Sequence, residues 1–250
     1  MTATQTLPLD ELWTRAPYYA RRFDPDLLDH HPEPVRRFLS HAIPPHVVLA
    51  SAVRLKMHGE IQLRGWCPFT AQEVISWNTG MIWRARVRRG WSLVTGFDSC
   101  INGRGMMQWK LFGLFPLLRA AGPDITRSAA GRVNAEVLWL PSALVGPGVL
   151  WSVTDGHHIR ATFHAHGDDT ALDLAIDDIG RLRSFSMLRW GNPDQGPFRL
   201  CPFGGVVEEE CEFGGFTIPS RMRIGWYPTP TGFEGAGEFL QVEVDDAHYR

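Results

Sequence analysis

The stretch WGNPDQGPFRLCPFGGVVEEECEFGGFTIPSRMRIGW, residues 190–226, carries the strongest fold signal in the chain. It contains Gly204-Gly205 and Gly214-Gly215, each beside a phenylalanine, and it ends at Gly225-Trp226. Runs compatible with extended strands separate these glycines. Glycine permits bulges, sharp bends and close backbone approach, and aromatic rings can pack across such bends. The stretch therefore predicts a strongly curved antiparallel sheet wrapped around an interior.

Length and composition narrow the classes of protein that this chain can form. Its 250 residues suffice for one large β domain or two small ones. A formal net charge of −2 gives no electrostatic reason to expect nucleic acid or an anionic membrane as a partner. The arginines between Arg84 and Arg89 are interpreted as a solvated strand face. The ten tryptophans can serve a core or line a pocket with rings.

Metal sites, redox sites and targeting segments have no clear signature. The four cysteines lack the spacing of a zinc knuckle or a redox motif, so neither a metal nor another cofactor is expected. Residues 1–12 do not resemble a signal peptide. No apolar run reaches the roughly 18 residues of a membrane span, so membrane insertion is not expected either. The sequence predicts a soluble, cytoplasmic protein of undetermined oligomeric state.

Periodicity predicts a short helical extension over residues 1–31 and a single curved-sheet domain over 32–250. Helices are expected near residues 10–16, from Pro34 to Pro44, and from Asp124, a candidate N-cap, to Leu140. Alternating apolar residues predict strands at 53–63, 81–88, 91–97, 106–112, 149–154, 159–165, 171–176, 182–188, 198–203, 206–213, 216–227 and 238–244. The expected fold is mainly β: a strongly curved antiparallel sheet or open half-barrel of about ten to twelve strands, covered by two or three helices.

Several motifs together resemble a bacterial family that is catalogued only as a domain of unknown function. They are Trp190-Gly191-x-Pro193, Pro202-Phe203-Gly204-Gly205, Phe213-Gly214-Gly215-Phe216 with Ile218-Pro219-Ser220, Pro34-Val35-Arg36-Arg37-Phe38, Trp83-Arg84-Ala85, Gly103-Arg104-Gly105, and Ser128-Ala129-Ala130-Gly131-Arg132 with Glu136, Trp139 and Pro141. The resemblance extends over residues 32–250.

The resemblance implies an architecture similar to the open half-barrels of bacterial lipoprotein carriers and of a small cofactor-free enzyme of indole-pigment biosynthesis. In such half-barrels a curled sheet surrounds a helical plug and leaves an apolar cavity. Carriers of that type act outside the cytoplasm. Because the N-terminus shows no export signal, the sequence favours small-molecule chemistry over lipoprotein transport.

Charged residues near the predicted 124–140 helix are the candidate catalytic groups. Asp124, Arg127 and Glu136 lie on or beside this helix, and Arg104, a candidate ligand-binding residue, precedes a strand that leads into it. A carboxylate beside an arginine at an apolar cavity can act as a general acid or base, or can anchor a polar group. The structural alternative is that Asp124 caps the helix and Glu136 pairs with Arg132. Glu209 is a further catalytic candidate if strand alternation turns it inward, and otherwise it lies on a solvated edge.

Histidines and aromatic residues complete the candidate sites. His158, His164 and His166 share one strand face and could hold a metal, but the opposite face is apolar, so they are expected to face solvent. The candidate ring residues of a ligand pocket are Trp83, Trp109, Trp139, Trp190, Phe203 and Trp226. Each of them could equally be part of the core.

Two functions of different class follow, and the sequence leaves a third open. The first is a cofactor-independent enzyme that cyclises, rearranges or isomerises a hydrophobic small molecule by acid or base assistance. The alternative is a binding protein or carrier for an apolar ligand or acyl chain, without turnover. A third possibility is an interaction module whose core is filled. A titratable residue reaching the cavity would favour the enzyme, and a cavity lined only by rings would favour the carrier.

Overall fold

A computed structural model describes residues 8–250, and thirteen of its strands form one antiparallel sheet. The strands of this sheet and of a small separate hairpin (β13 and β14) are β1 Ala52–Gln62, β2 Trp66–Ser76, β3 Gly80–Arg89, β4 Ser92–Ile101, β5 Arg104–Leu111, β6 Phe115–Ala121, β7 Leu150–Val153, β8 His158–Ala165, β9 Asp168–Ile176, β10 Leu182–Gly191, β11 Arg199–Phe213, β12 Phe216–Trp226, β13 Pro228–Thr229, β14 Gly232–Phe233 and β15 Glu238–Tyr249. The order across the sheet is β6-β5-β4-β3-β2-β1-β15-β12-β11-β10-β9-β8-β7, so β6 and β7 are its two edges and the sheet does not close.

Among residues 8–250, three α-helices and three shorter 3-10 turns accompany the sheet. The helices are α1 Leu9–Arg15, α2 Glu33–Ala42 and α3 Pro123–Ala135, and the 3-10 turns are Pro25–Leu28, Glu136–Trp139 and Pro141–Val145. α2 and α3 each begin with a proline in the first turn, where its missing N–H costs no helical hydrogen bond. Within residues 8–250 no helix combines the length and apolar character that a membrane crossing requires.

The last strand lies at the centre of the sheet and joins two arms of consecutive strands. β15 pairs with β1 from Val53↔Tyr249 to Ile61↔Leu240, and on its other side it pairs with β12. The backbone of Arg250 continues this seam, since its carbonyl accepts from the N–H of Ala52. The sheet is therefore a meander of β1 to β6 on one side and of β7 to β12 on the other.

The two faces of the sheet are covered differently. The main core lies between the inner face and the helices α2 and α3, with Phe38, Leu39 and Val133 buried against strand residues. On the outer face α1 packs Leu9 and Leu12 against Val74 and Ile82. The predicted helical extension at 1–31 thus includes a helix that covers the outer face, while residues 1–7 lie outside the described part. The division at residue 31 stays a prediction.

The sheet curves around α3. Gly105 on β5 lies against the backbone of Thr126, and Arg189 on β10 lies against Gly131 of the same helix. These two strands are separated by seven others in the sheet, so only a strongly curved sheet brings both to one helix. The prediction of a curved, open antiparallel sheet covered by helices is confirmed.

Local expectations were partly wrong. β2 and β6 were not predicted, so the sheet has more strands than expected. The 124–140 helix ends at Ala135 and continues as 3-10 turns. Asp124 is not the N-cap, because that position belongs to Gly122. The predicted turn at Asn102-Gly103 is confirmed, and both residues adopt the positive φ that such a hairpin requires.

Candidate functional site

A cavity of about 220 Å³ lies between the inner face of the sheet, α3 and the 3-10 turn that follows α3. Its wall consists of apolar and aromatic side chains with a few charged groups: Met57, Ile61, Trp83, Asp98, Arg132, Ala135, Glu136, Leu138, Trp139, Phe185, Arg189, Phe203, Met222, Ile224, Trp226, Phe239 and Leu240. An apolar cavity with a few convergent polar groups is the usual character of a ligand site, although such sites more often measure about 300–1,000 Å³. The cavity accommodates a small ligand or one segment of a longer one.

A buried charge cluster forms one wall of this cavity around Arg132 of α3. Its guanidinium donates from Nε to Glu136 at 2.6 Å and from Nη1 to Asp98 of β4 at 3.1 Å. Its Nη2 lies 3.5 Å from Glu73 of β2, whose side chain is fully buried. The guanidinium also lies over the ring of Trp83, 4.8 Å from the ring centre. The Arg132–Glu136 pair is the i,i+4 ion pair that the sequence suggested.

Burial and mutual charge shift the protonation of this cluster. Burial, reinforced by the negative charge of Glu136, raises the pKa of Glu73 well above its ordinary value despite the opposing charge of Arg132. Burial also raises the pKa of Asp98, although Arg132 and the hydrogen bond from Trp109 act against it. Burial alone would lower the pKa of Arg132, but the charges of Glu136, Glu73 and Asp98 outweigh it and raise that pKa. Burial therefore favours a neutral Glu73 beside a charged Arg132.

Arg189 of β10 is the second cation of the cavity, and it is bonded differently. Its Nε donates to the carbonyl of Ser128 at 3.2 Å, and its guanidinium carbon lies 4.6 Å from the centre of the Phe203 ring and 5.4 Å from that of Trp226. Within residues 8–250 no carboxylate lies at ion-pair distance from it, and its Nη atoms donate to no protein acceptor. Burial and the charge of Arg132 lower the pKa of Arg189 to about 10, which leaves it protonated at neutral pH.

Most of the predicted ring residues meet at this cavity. Trp83, Trp139, Phe203 and Trp226 line it. Trp109 stands behind Trp83, with ring centres 5.7 Å apart, and donates from Nε1 to Asp98 at 3.0 Å. The interior contains a void between these rings, unlike the filled core that an interaction module would need.

Three predicted residues instead form a cluster outside the cavity, between the first turns of α3 and the end of β10. Trp190 donates from Nε1 to Asp124 at 2.9 Å, and Arg127 lies over the Trp190 ring at 4.4 Å from its centre. Arg127 also pairs with Asp168 at 3.3 Å. The predicted Arg104 does not line the cavity either, because it is exposed at the start of β5. Of the catalytic candidates, Glu136 alone reaches the cavity.

The inward orientation considered for Glu209 is wrong. The pairing of β11 with β12 shifts register on both sides of Glu209, which breaks the alternation that would have turned it inward. Glu209 is exposed and pairs with Arg221. The bulge turns its neighbour Glu210 inward, where Glu210 accepts from the N–H of Leu182 at 3.0 Å and lies 2.8 Å from Nε2 of His41.

The histidines do not share one environment. His158 and His164 are exposed beside Asp155 and Asp169, whereas His166 lies in the β8–β9 turn with a positive φ and packs edge-on against Trp77. The expectation that His166 faces solvent with the other two is therefore wrong. Burial lowers the pKa of His166 to about 4. In the part of the chain that the structure describes, no three His, Cys, Asp or Glu side chains come together as metal ligands.

A second depression, of about 570 Å³, lies beside the turn at Pro141–Val145. Tyr18 and Tyr19 of the extension, Trp77 and Phe163 contribute rings to it. It contains no charge cluster comparable with that of the interior cavity, and the interior cavity therefore remains the better candidate site.

Asp98, Arg189 and Glu73 were missed by the sequence interpretation. A detectable signal existed for Arg189, because Phe185, Met187 and Arg189 alternate toward the interior along β10. Glu73 follows Phe69 and Ala71 with the same period, but β2 itself was not recognised. A charged residue in phase with an apolar strand face is the pattern that would have identified both.

Comparison with known proteins assigns the chain to a family. Residues 21–233 match the family described as "Family of unknown function (DUF6544)", and the chain belongs to that family. The resemblance seen in its motifs is thereby confirmed. No curated protein matches the chain.

Two solved structures resemble the fold at low sequence identity. One is a LolA superfamily protein from Nitrosomonas europaea, 12% identical, with a TM-score of 0.42 over 87% of this chain and 92% of the other. The second is a putative outer membrane lipoprotein-sorting protein domain from Vibrio parahaemolyticus, 7% identical, with a TM-score of 0.43 over 80% of this chain and 86% of the other. The prediction of a cytoplasmic location is contradicted by the description of this second protein, which refers to the outer membrane.

Proposed function

We propose that this protein binds an apolar small molecule with an acidic head group in the interior cavity and does not transform it. The observation that carries the proposal is the guanidinium of Arg189, which lies at a cavity walled by rings and has no carboxylate partner among residues 8–250. Phe203 and Trp226 stack on this guanidinium and hold it in one orientation. An arginine so placed matches the geometry of a carboxylate or phosphate.

The remaining cavity wall suits a hydrocarbon segment. Met57, Ile61, Leu138, Met222 and Ile224 supply aliphatic surface. Burial of each methylene group of a ligand contributes about 0.8 kcal/mol. The size of the cavity favours a short chain or a single ring system, with any longer part of the ligand outside it.

A titration with octanoate and octanol tests this function, since the two ligands share a chain and differ in head group. We expect quenching or a shift of tryptophan emission with octanoate at lower concentration than with octanol. Arg189→Gln should remove the preference for the acid, while Arg84→Gln, an exposed arginine on β3, should retain it. An Arg189→Gln variant that keeps the octanoate affinity of the parent protein, and still prefers octanoate to octanol, would contradict the role of Arg189.

Native mass spectrometry of the purified protein provides an independent test. We expect a co-purifying molecule that is apolar and acidic, and its signal should be lost from the Arg189→Gln variant. A co-purifying neutral lipid would support the cavity as the ligand site but would contradict the proposal that the ligand has an acidic head group.

Cofactor-independent catalysis is the second candidate, and the carboxyl groups of Glu136 and Asp98 at the cavity wall favour it. Both groups are bonded to Arg132, which limits their capacity to exchange a proton with a ligand. Incubation of the extracted ligand with fresh protein distinguishes the two candidates. A product that differs from the extracted ligand in mass or retention time would favour cyclisation, rearrangement or isomerisation.

A further inference from the structure

One end of the sheet carries an unusual concentration of exposed apolar side chains. In an antiparallel meander alternate turns lie at the same end, so the β1–β2, β3–β4 and β5–β6 turns are neighbours there. Sixteen large apolar side chains are exposed in the described part of the chain, and nine of them belong to residues 63–118: Leu63, Trp66, Trp91, Leu93, Phe112, Leu114, Phe115, Leu117 and Leu118. These nine residues are called the apolar tip below.

The apolar tip is most exposed at its turns. Trp91 of the β3–β4 turn is 90% exposed and Leu114 of the β5–β6 turn is 75% exposed. The rings of Trp91 and Phe112 lie 6.4 Å apart, so the two turns form one continuous surface. Clustered exposed apolar side chains of this size mark a surface that contacts another apolar phase.

Cations surround the apolar tip. Residues 62–121 contain eight Lys and Arg but only two acidic residues, Glu73 and Asp98, and both of these face the interior. Arg64, Arg88, Arg89 and Lys110 lie in or beside the three turns, and Arg119 lies further along β6. None of these five forms an ion pair within residues 8–250. This local excess of positive charge is not apparent from the overall net charge of −2.

We infer that the apolar tip docks onto the surface of a bilayer that contains anionic phospholipid. Trp, Phe and Leu side chains enter the headgroup boundary of a membrane, and Lys and Arg beside them bind anionic headgroups. A nucleic acid would use the cations but has no equivalent surface for exposed leucines. This contact is shallow and peripheral. The sequence predicts no insertion into a membrane, and the docking adds only a contact with the membrane surface.

This docking would place the ligand cavity toward the bilayer. Of the residues that line the cavity, Ile61 lies one residue before the end of β1, Trp226 ends β12 and Phe239 is the second residue of β15. All three lie at the end of the sheet that carries the apolar tip, because β1 and β12 run toward this end and β15 starts from it. An apolar ligand could then pass between bilayer and cavity without crossing water.

Flotation of the full chain with lipid vesicles tests the inference. One set of vesicles contains phosphatidylcholine alone, and a second set has part of it replaced by phosphatidylglycerol. We expect binding to the second set, weakened by salt, and at least about tenfold weaker binding to the first. Absence of binding to both sets, or equal binding to both, would overturn the inference.

Two double variants separate the contributions of the apolar tip and of the cations. Trp91→Ser with Leu114→Ser, and Arg88→Glu with Arg89→Glu, should each weaken vesicle binding about tenfold or more. Matched controls are Leu150→Ser with Ile179→Ser, which are exposed apolar residues elsewhere, and Arg36→Glu with Arg181→Glu. Loss in the charge variant with full binding in the tip variant would indicate an acidic partner and overturn bilayer docking.

Octanoate binding distinguishes this inference from the proposed function. Trp91 and Leu114 do not line the cavity, so the tip variant should bind octanoate as the parent protein does. A tip variant that floats with anionic vesicles as fully as the parent overturns the docking inference, whatever its affinity for octanoate.

Discussion

The ring of Trp226 occupies the space that the missing side chain of Gly191 leaves open. A Cβ atom at Gly191 would lie 2.3 Å from Cη2 of this ring, far inside van der Waals contact. Trp226 lines the cavity and stacks on Arg189. Gly191 of the Trp190-Gly191 motif therefore affects the shape of the cavity by leaving room for the Trp226 ring.

Gly191→Ala should therefore displace Trp226. We expect a loss of about 1–3 kcal/mol in the free energy of unfolding, as for other overpacked sites, together with weaker octanoate binding. Urea unfolding and fluorescence titration measure the two effects. Gly156→Ala is the control, since a Cβ there meets open space. Unchanged binding by Gly191→Ala would show that Trp226 does not shape the ligand site.

Glu136→Gln should reveal a structural rather than a catalytic residue. Arg132 would lose its shortest charged hydrogen bond, so we expect a loss of about 1–2 kcal/mol in unfolding free energy, with octanoate affinity nearly unchanged. The control is Glu33→Gln, which breaks an exposed i,i+4 pair with Arg37 and should cost only about 0.3–0.5 kcal/mol. A variant with unaltered stability that no longer converts the natural ligand would instead favour the enzyme.

The raised pKa of Glu73 predicts a pH-dependent effect of Glu73→Gln. Because the pKa of the folded state lies above the unfolded value near 4.5, the stability contributed by the neutral carboxyl is complete below that value and is lost as pH rises. The glutamine stays neutral at every pH. The melting temperature of the variant should therefore rise by a few degrees relative to that of the parent protein as the pH is raised from acidic to mildly alkaline. A difference that is constant across this range, or that shrinks, would contradict a raised pKa.

His166 should give stability the opposite pH dependence to that of Glu73. Its pKa falls from 6.5 in the unfolded chain to about 4 in the folded protein, so its contribution is complete above 6.5 and is lost as pH falls toward 4. The loss is of order 3 kcal/mol at most. His166→Asn tolerates the positive φ and should flatten the pH dependence of unfolding in this window. His164→Asn, the same substitution at an exposed histidine of β8, is the matched variant for comparison.

The sequence predicted the curved sheet because a glycine pair beside an aromatic residue indicates a close backbone approach, whichever side chain approaches it. Gly191 beside Trp226 and Gly205 beside Phe185 are close approaches that only glycine permits, and this requirement is visible in the sequence. Trp83, Trp139 and Trp226 were predicted as ring residues because they lie in or beside predicted strands or the covering helix, and Phe203 because it precedes the Gly204-Gly205 bend. All four line the cavity.

The orientation of Glu209 and the surroundings of Arg189 could not be predicted, because they depend on contacts between elements that are distant in the sequence. The bulge that turns Glu209 outward arises from the pairing of β11 with β12, and alternation within β11 alone points the other way. Arg189 acquires its importance from Phe203, Trp226 and the carbonyl of Ser128, which lie on three other elements. No local pattern in β10 specifies those neighbours.

The central position of β15 also constrains how the chain folds during its synthesis. A ribosome releases β15 after every other strand of the sheet, yet β15 fills the gap between β1 and β12. Until that moment the nascent chain has two incomplete meanders, each with a bare edge whose amides can pair with other chains. Contacts such as Val53↔Tyr249 span most of the sequence, which predicts slow folding and a cell that must shield both edges during synthesis.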